Sequence, residues 1–171
     1  LQLLEREKRV LKDNKTTSPA FDGYKYILER QLKPEPRLDI VDFLGKIGVV
    51  PTSMMDVSDG LSSELLHICK QSGVGCRLYE DKVPIHAETK NLCAELNINP
   101  IVAALNGGED YELLFSIRQE DYQKFQSEPG PEIYAVGYAC DKDKGSRMFT
   151  TGGDERSGMG FTIMESFTDR L

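Results

Sequence analysis

Residues 49–80 carry the pattern of a strand, an acidic loop, a helix and a second strand in immediate succession. VVPTSMMDV is apolar and β-prone, but Pro51 restricts it to a short or edge strand. The segment after the loop has apolar residues at helical spacing and stops at Gly73, and GVGCRLYE follows as a strand. The apolar face is formed by Leu61, Leu65, Ile68 and Cys69. Such a unit predicts a domain in which helices cover a sheet.

The rest of the chain alternates in the same way, and its 171 residues are the size of one ordinary domain. Helices are predicted in PRLDIVDFLGKIG, HAETKNLCAELN and QEDYQKFQSE, and strands in YELLFSI and EIYAVGYAC. The tail SRMFTTGGDERSGMGFTIM is predicted to form two strands across a loop. The opening LQLLEREKRVLK has helical spacing without an N-cap residue or an initiator methionine. We therefore expect residues 1–171 to be a single domain and a fragment of a longer protein.

The charge balance excludes some partners. The chain has 21 Lys and Arg against 28 Asp and Glu, a net charge of -7. Nucleic acids and anionic membranes need a basic surface, so we expect neither as a partner. No apolar run reaches the length of a membrane span or a signal sequence.

The cysteines and histidines do not indicate a zinc site. Cys69, Cys76, Cys93 and Cys140 show no C-x-x-C spacing, and most lie in apolar stretches. We interpret them as reduced core thiols, which is typical of a cytoplasmic protein. Two histidines are too few for a His-rich metal site.

The acidic loop in MMDVSDGL places Asp56 and Asp59 three residues apart, just before the helix. That spacing brings two carboxylates to within roughly 5–6 Å, where they repel each other. A Mg²⁺ ion would offset the repulsion, since it takes oxygen ligands, commonly one or two carboxylates together with substrate phosphates. The hydroxyl of Ser58 and the amides near Gly60 could hold such a phosphate. The alternative is that Ser58 or Asp59 only caps the helix.

A second acidic loop lies in LNGGEDYELLF, where Glu109 and Asp110 follow two glycines and precede a strand. Gly107 and Gly108 allow backbone conformations that are closed to other residues and let a ligand approach the chain. The alternative is a turn that needs glycines and leaves both carboxylates in solvent.

Together, DVSDGL and GGEDYELLF, with RQLKPEPRLDI upstream and SGVGCRL between them, resemble thiamine-monophosphate kinase of the aminoimidazole ribonucleotide synthetase superfamily. The resemblance covers roughly residues 1–140 and only the C-terminal domain of that family. It implies an α+β fold with three α/β/α layers and a mixed sheet, partly ferredoxin-like, and an N-terminal ATP-binding domain that is absent from this chain. It also implies ATP- and Mg²⁺-dependent phosphorylation of thiamine monophosphate to thiamine diphosphate by a homodimer.

The resemblance assigns roles to single residues. It implies that Asp56 and Asp59 bind Mg²⁺, that Ser58 contacts ATP and that Glu109 contacts the thiamine substrate. Asp110 and Tyr111, which match the family in sequence, are interpreted as holding the shape of the second loop.

The tail departs from the family pattern, a G-aromatic-x-H-F-like ending in which the aromatic residue stacks on the thiamine rings. Here GMGFTIMESFTDRL has no histidine. Phe161, with Phe167 behind it, is the nearest candidate for the residue that stacks on thiamine. No catalytic residue is assigned, because an acceptor phosphate is already ionised at neutral pH and needs no general base. The sequence also shows no Ser-His-Asp or Cys-His arrangement and no P-loop pattern.

Two other functions remain open. The chain could belong to a relative in the same superfamily that acts on another substrate, such as a selenide- or purine-pathway enzyme, although GGEDYELLF favours the thiamine branch. It could also be an interaction module that kept the fold and lost activity, which the intact acidic residues argue against.

Overall fold

The structure, a computed structural model, describes residues 2–13, 21, 23–152 and 155–157. Within these ranges the helices are α1 (Gln2–Asp13), α2 (Lys25–Leu32), α3 (Leu38–Lys46), α4 (Leu61–Ser72), α5 (Ala87–Glu95), α6 (Pro100–Asn106) and α7 (Tyr122–Ser127). The strands are β1 (Ser53–Asp56), β2 (Gly75–Tyr79), β3 (Leu113–Ser116), β4 (Gly137–Cys140), β5 (Ser146–Phe149) and β6 (Glu155–Ser157). No helix in the described ranges combines the length and the apolar character that crossing a membrane requires.

The strands form two sheets in the described part of the chain. β1 and β3 pair antiparallel, and a four-stranded sheet has the order β4-β2-β5-β6. In the larger sheet β2 runs parallel to β5, whereas the other neighbours are antiparallel. The predicted α+β class with a mixed sheet is confirmed.

The helix α4 is the element on which the core is organised. Its predicted apolar face is buried, and it packs against α6, β1 and β3. Gly73 ends the helix with φ 66°, a left-handed conformation that glycine adopts without a steric penalty. The largest apolar cluster forms around this face, with Val57, Cys76 and Leu78 among its fully buried members. All four cysteines are free thiols, as predicted.

Two predicted strands are shorter in the structure. YELLFSI pairs only over Leu113–Ser116, because Tyr111 has φ 55° and breaks the extended backbone before the strand. EIYAVGYAC pairs only over Gly137–Cys140; ahead of it, the carbonyl of Val136 accepts one bond, from the N–H of Tyr79 (2.9 Å). The helix predicted in QEDYQKFQSE opens with a 3₁₀ turn at Gln119–Asp121 before α7.

Candidate functional site

The two acidic loops lie side by side. The first acidic loop, residues 56–60, leaves β1, and the second acidic loop, residues 107–112, enters β3, where Asp56 is the register partner of Leu113. Three backbone hydrogen bonds join the loops beyond the strand ladder. Val57 N–H donates to the carbonyl of Glu112 (2.8 Å), Tyr111 N–H to that of Val57 (2.8 Å) and Glu109 N–H to that of Ser58 (2.7 Å). The residues predicted for metal, nucleotide and substrate therefore share one end of the β1–β3 pair.

Glycines allow this close approach. A Cβ atom on Gly108 would lie 2.7 Å from the carbonyl oxygen of Ser58, closer than real Cβ atoms come. Gly60 has φ 114°, and a Cβ there would lie 2.7 Å from the carbonyl oxygen of Leu105. At Gly108 and Gly60, therefore, the backbone of one segment packs directly on the backbone of another.

The side chains of Asp56 and Asp59 are exposed, and Ser58 is half-buried. Neither aspartate makes a side-chain hydrogen bond or ion pair with the described residues. Two exposed carboxylates without a competing Lys or Arg fit Mg²⁺, which commonly takes one or two carboxylates from a protein. The described ranges contain no group of three or more His, Cys, Asp or Glu that could hold a metal. A metal held by Asp56 and Asp59 would thus need further ligands beyond these two carboxylates.

Glu64 is a buried residue of this site that sequence analysis missed. Its side chain is 1% exposed, and its Oε1 accepts hydrogen bonds from Asp59 N–H (2.9 Å) and from the Ser58 hydroxyl (3.4 Å). A detectable signal was present in the sequence, because Glu64 is an acidic residue three positions after Leu61 on the apolar face of a predicted helix.

The second acidic loop is held from behind by another buried carboxylate. Glu112 is fully buried and accepts hydrogen bonds on its two oxygens from Arg30 and Arg37. Arg37 also binds Asp39 through two hydrogen bonds of 2.9 and 2.8 Å. Burial raises the pKa of Glu112 to about 7, and nearby Asp110 adds to this, although the two arginines act in the opposite direction.

The same upstream segment contacts the residues before Glu112. Arg30 donates to the carbonyl of Asp110 (3.1 Å), and the Gln31 amide donates to the Glu109 carboxylate. Residues 30–37, here called the arginine segment, therefore support the second acidic loop along its length. The segments RQLKPEPRLDI and GGEDYELLF are therefore in direct contact in the folded chain.

The backbone of the second acidic loop is strained. Glu109 has φ 66° and Tyr111 has φ 55°, which is uncommon for residues other than glycine and costs on the order of 1–3 kcal/mol each. Their side chains are exposed, whereas Asp110 between them is buried. This conformation is held by the hydrogen bond from the Glu109 N–H to the Ser58 carbonyl and by that from Arg30 to the Asp110 carbonyl. The structural roles predicted for Asp110 and Tyr111 agree with this geometry but stay predictions.

Two further predictions concern the tail. Phe161 and Phe167, the candidates for stacking on thiamine, lie outside the described residues.

A cavity of about 670 Å³ lies elsewhere and is not lined by any of the predicted site residues. Its walls include Lys82, His86, Lys90, Tyr122 and Tyr134. Asp56, Asp59 and Glu109 are instead exposed on the surface of the acidic loops.

Comparison with known proteins places these features in a family. Residues 8–149 match the family described as AIR synthase related protein, C-terminal domain. A thiamine-monophosphate kinase of Aquifex aeolicus is 37% identical over 99 residues, which are 58% of this chain and 31% of that protein. A thiamine-monophosphate kinase of Bacillus subtilis is 31% identical over 131 residues, 74% of this chain and 38% of that protein. The chain therefore spans about a third of the length of these curated relatives.

A solved structure extends the similarity to the fold. The structure described as "AaThiL complexed with AMPPCP and TMP" is 28% identical in sequence and superposes with a TM-score of 0.62. The match covers 94% of this chain and 46% of that one. The resemblance predicted from the two acidic loops is confirmed.

Proposed function

Because the chain belongs to the family of AIR synthase related proteins, C-terminal domain, we propose that it is the C-terminal domain of a thiamine-monophosphate kinase. The complete enzyme would transfer a phosphoryl group from ATP to thiamine monophosphate in the presence of Mg²⁺ and give thiamine diphosphate. The observation that carries this proposal is the pairing of the two acidic loops. It brings the residues proposed for metal, nucleotide and substrate to one edge of the fold.

Phosphoryl transfer asks a protein mainly to position two anionic partners and to neutralise their charge. Asp56 and Asp59 would hold Mg²⁺, which screens the negative charges of the phosphates when bound. Ser58 offers a hydroxyl to the nucleotide beside them. Glu109 offers a carboxylate to the thiamine, whose thiazolium is positive and whose aminopyrimidine has hydrogen-bond donors. The acceptor phosphate is ionised at neutral pH, so the proposal requires no general base.

We propose that an N-terminal domain of the complete protein supplies most contacts to ATP, and that the complete protein is a cytoplasmic homodimer. Two observations support an ATP site that is shared between this chain and the N-terminal domain. The chain matches only a third of its relatives' length, and Asp56, Asp59 and Glu109 lie on an open surface. For residues 1–171 alone we expect no kinase activity and weak or undetectable ATP binding. Calorimetry that gives micromolar affinity for ATP with this chain would contradict the shared site.

The decisive test is an assay of the protein encoded by the complete reading frame. With ATP, Mg²⁺ and thiamine monophosphate we expect equal amounts of ADP and thiamine diphosphate. ADP formed only with a different acceptor would identify another enzyme of the superfamily. A folded protein that forms no ADP with any acceptor tested would indicate a non-catalytic module.

A further inference from the structure

Glu64 lies on the first turn of α4, behind the first acidic loop, and is buried. The described structure shows two polar contacts of its side chain, and both go to this loop. Oε1 accepts from the backbone N–H of Asp59 at 2.9 Å and from the hydroxyl of Ser58 at 3.4 Å. Glu64 thus touches the two loop residues that we propose for metal and nucleotide, without itself reaching the exposed surface.

Glu64 lies at a helix start that has no side-chain cap. The N-cap residue is Gly60, which has no side chain with which to accept a hydrogen bond from the first turn. Glu64 bends back over the helix start, where its negative charge meets the positive end of the helix dipole. In doing so it holds the residue before the cap, Asp59, by its main chain. That main chain sets the direction of the Asp59 Cα–Cβ bond, from which the carboxylate projects.

We propose that Glu64 is a positioning residue for Asp59, an inference that rests on the proposed kinase function. Glu64 acts by fixing the Asp59 backbone through the 2.9 Å hydrogen bond, whereas its 3.4 Å contact with the Ser58 hydroxyl is long for an O–H···O bond and leaves that hydroxyl available to a ligand. Residues that orient metal ligands in this indirect way typically change metal affinity by about 10–100-fold when they are replaced. The second oxygen, Oε2, is buried and has no hydrogen-bond partner among the described residues. The carboxylate is therefore anchored through Oε1 alone, and its replacement leaves the Asp59 N–H without this acceptor.

The first test is spectroscopic and needs neither metal nor activity. In the ¹⁵N-labelled 171-residue chain we would compare Glu64→Met, Glu64→Gln and Ile68→Val with wild type by amide hydrogen exchange. Glu64→Met fills the same space without an acceptor, so the Asp59 amide should exchange at least tenfold faster relative to amides inside α4. Glu64→Gln retains an oxygen acceptor and should restore most of the protection. Ile68→Val alters the buried face of the same helix and should leave the Asp59 amide as in wild type.

Two results of this experiment would overturn the proposal: unchanged exchange at Asp59 in Glu64→Met, or the same acceleration in Ile68→Val. If Glu64→Met does not fold, the chemical shift of the Asp59 amide proton in Glu64→Gln tests the proposal instead. A hydrogen bond to a neutral oxygen is weaker than one to a carboxylate, so the Asp59 amide proton should move upfield. An Asp59 amide resonance at the wild-type position in Glu64→Gln would overturn the proposal.

The second test uses the complete enzyme. Glu64→Met should raise the Mg²⁺ concentration for half-maximal activity by about 10–100-fold and leave KM for thiamine monophosphate unchanged, while Glu64→Gln should show a smaller rise. A general loss of stability would instead lower kcat without raising the Mg²⁺ concentration for half-maximal activity. Ile68→Val, which alters the buried face of the same helix, measures that general effect. If wild-type enzyme is inactive, the proposed function fails while the exchange experiment still decides the role of Glu64. If wild type is active and the Mg²⁺ dependence of Glu64→Met is normal, the positioning role is wrong.

Discussion

The backbone N–H of Glu109 donates a 2.7 Å hydrogen bond to the carbonyl oxygen of Ser58, and this bond joins the two acidic loops where their carboxylates are exposed. Glu109 holds a left-handed backbone conformation at this point, with φ 66°. The residue proposed to recognise thiamine is thereby tied to the residue proposed to contact ATP. The two loops are therefore packed together through their backbones, and the Gly108→Ala variant described below probes this packing.

The first prediction concerns the metal. Asp56→Asn and Asp59→Asn should each abolish most phosphoryl transfer in the complete enzyme, because a neutral amide is a poor ligand for a hard cation. Both side chains are exposed, so the melting temperature should stay close to that of wild type. Asp42→Asn, an exposed aspartate on α3, is the matched control and should remain fully active. Initial rates over a Mg²⁺ titration check this, and near-normal activity of either loop variant at limiting Mg²⁺ would show the assignment to be wrong.

The second prediction concerns substrate recognition by Glu109. Glu109→Gln should raise KM for thiamine monophosphate and leave KM for ATP almost unchanged. Loss of a hydrogen bond to a charged group costs about 1.5–3 kcal/mol, or roughly tenfold to a hundredfold in kcat/KM. Steady-state kinetics with each substrate varied in turn, together with a melting curve, measures both effects.

The control for Glu109 is Glu35→Gln, because Glu35 is an exposed glutamate of the arginine segment. It should behave as wild type towards both substrates. If Glu109 only shapes the turn, its variant would instead lose thermal stability while both KM values drift together. Normal kinetics for thiamine monophosphate in Glu109→Gln would exclude the substrate role.

The third prediction uses a pair of glycines that differ in their surroundings. Gly108→Ala places a Cβ 2.7 Å from the Ser58 carbonyl oxygen, so the loops must separate, and we expect a loss of about 1–3 kcal/mol in the free energy of unfolding. Gly45 lies within α3 with open space around its Cα, and Gly45→Ala should gain up to about 1 kcal/mol from helix propensity. Urea unfolding of the 171-residue chain measures both values. Equal effects in the two variants would contradict the close packing of the loops.

The fourth prediction follows from the pKa of Glu112, which burial raises from the usual 4.5 to about 7. Below pH about 4.5 the carboxyl is protonated in both folded and unfolded chains. Between that pH and about 7 the unfolded chain has released the proton and the folded chain retains it. The contribution of Glu112 to the free energy of unfolding therefore falls as pH rises through this window, by up to about 3 kcal/mol, and is constant above it.

Glu112→Gln cannot titrate, so it should lack this fall. Denaturant unfolding of wild type and variant between pH 4.5 and 8 tests the prediction by the difference between the two curves. Parallel curves would show that the two arginines keep Glu112 ionised in the folded chain throughout the range.

The helical part of the fold could be predicted because its signals are local. The apolar face of α4 and its end at Gly73 follow from residues within a few positions of each other, and the structure agrees with both. Strand ends were less predictable. Tyr111 favours a strand by its residue type, but its backbone is turned to positive φ by bonds to a loop some fifty residues earlier in the sequence.

The candidate site shows the same division. The exposed residues Asp56, Asp59 and Glu109 could be proposed from motifs. Their supports, Glu64 and Glu112, were not proposed, because their burial and their hydrogen-bond partners are not specified by local sequence. An acidic residue at an apolar position of a predicted helix or strand was the signal that sequence analysis left unused.

The contacts of the arginine segment can form only late in synthesis of the chain. Arg30 and Arg37 precede their common partner Glu112 by 82 and 75 positions. At about 5–20 residues per second, a ribosome needs on the order of 4–16 seconds to add that many residues. Throughout this interval neither guanidinium group can pair with Glu112, because the second acidic loop has not yet been synthesised. The candidate site is therefore completed late, after α4 has been synthesised. It forms when the second acidic loop and β3 are added and Glu112 pairs with the arginine segment near the start of the chain.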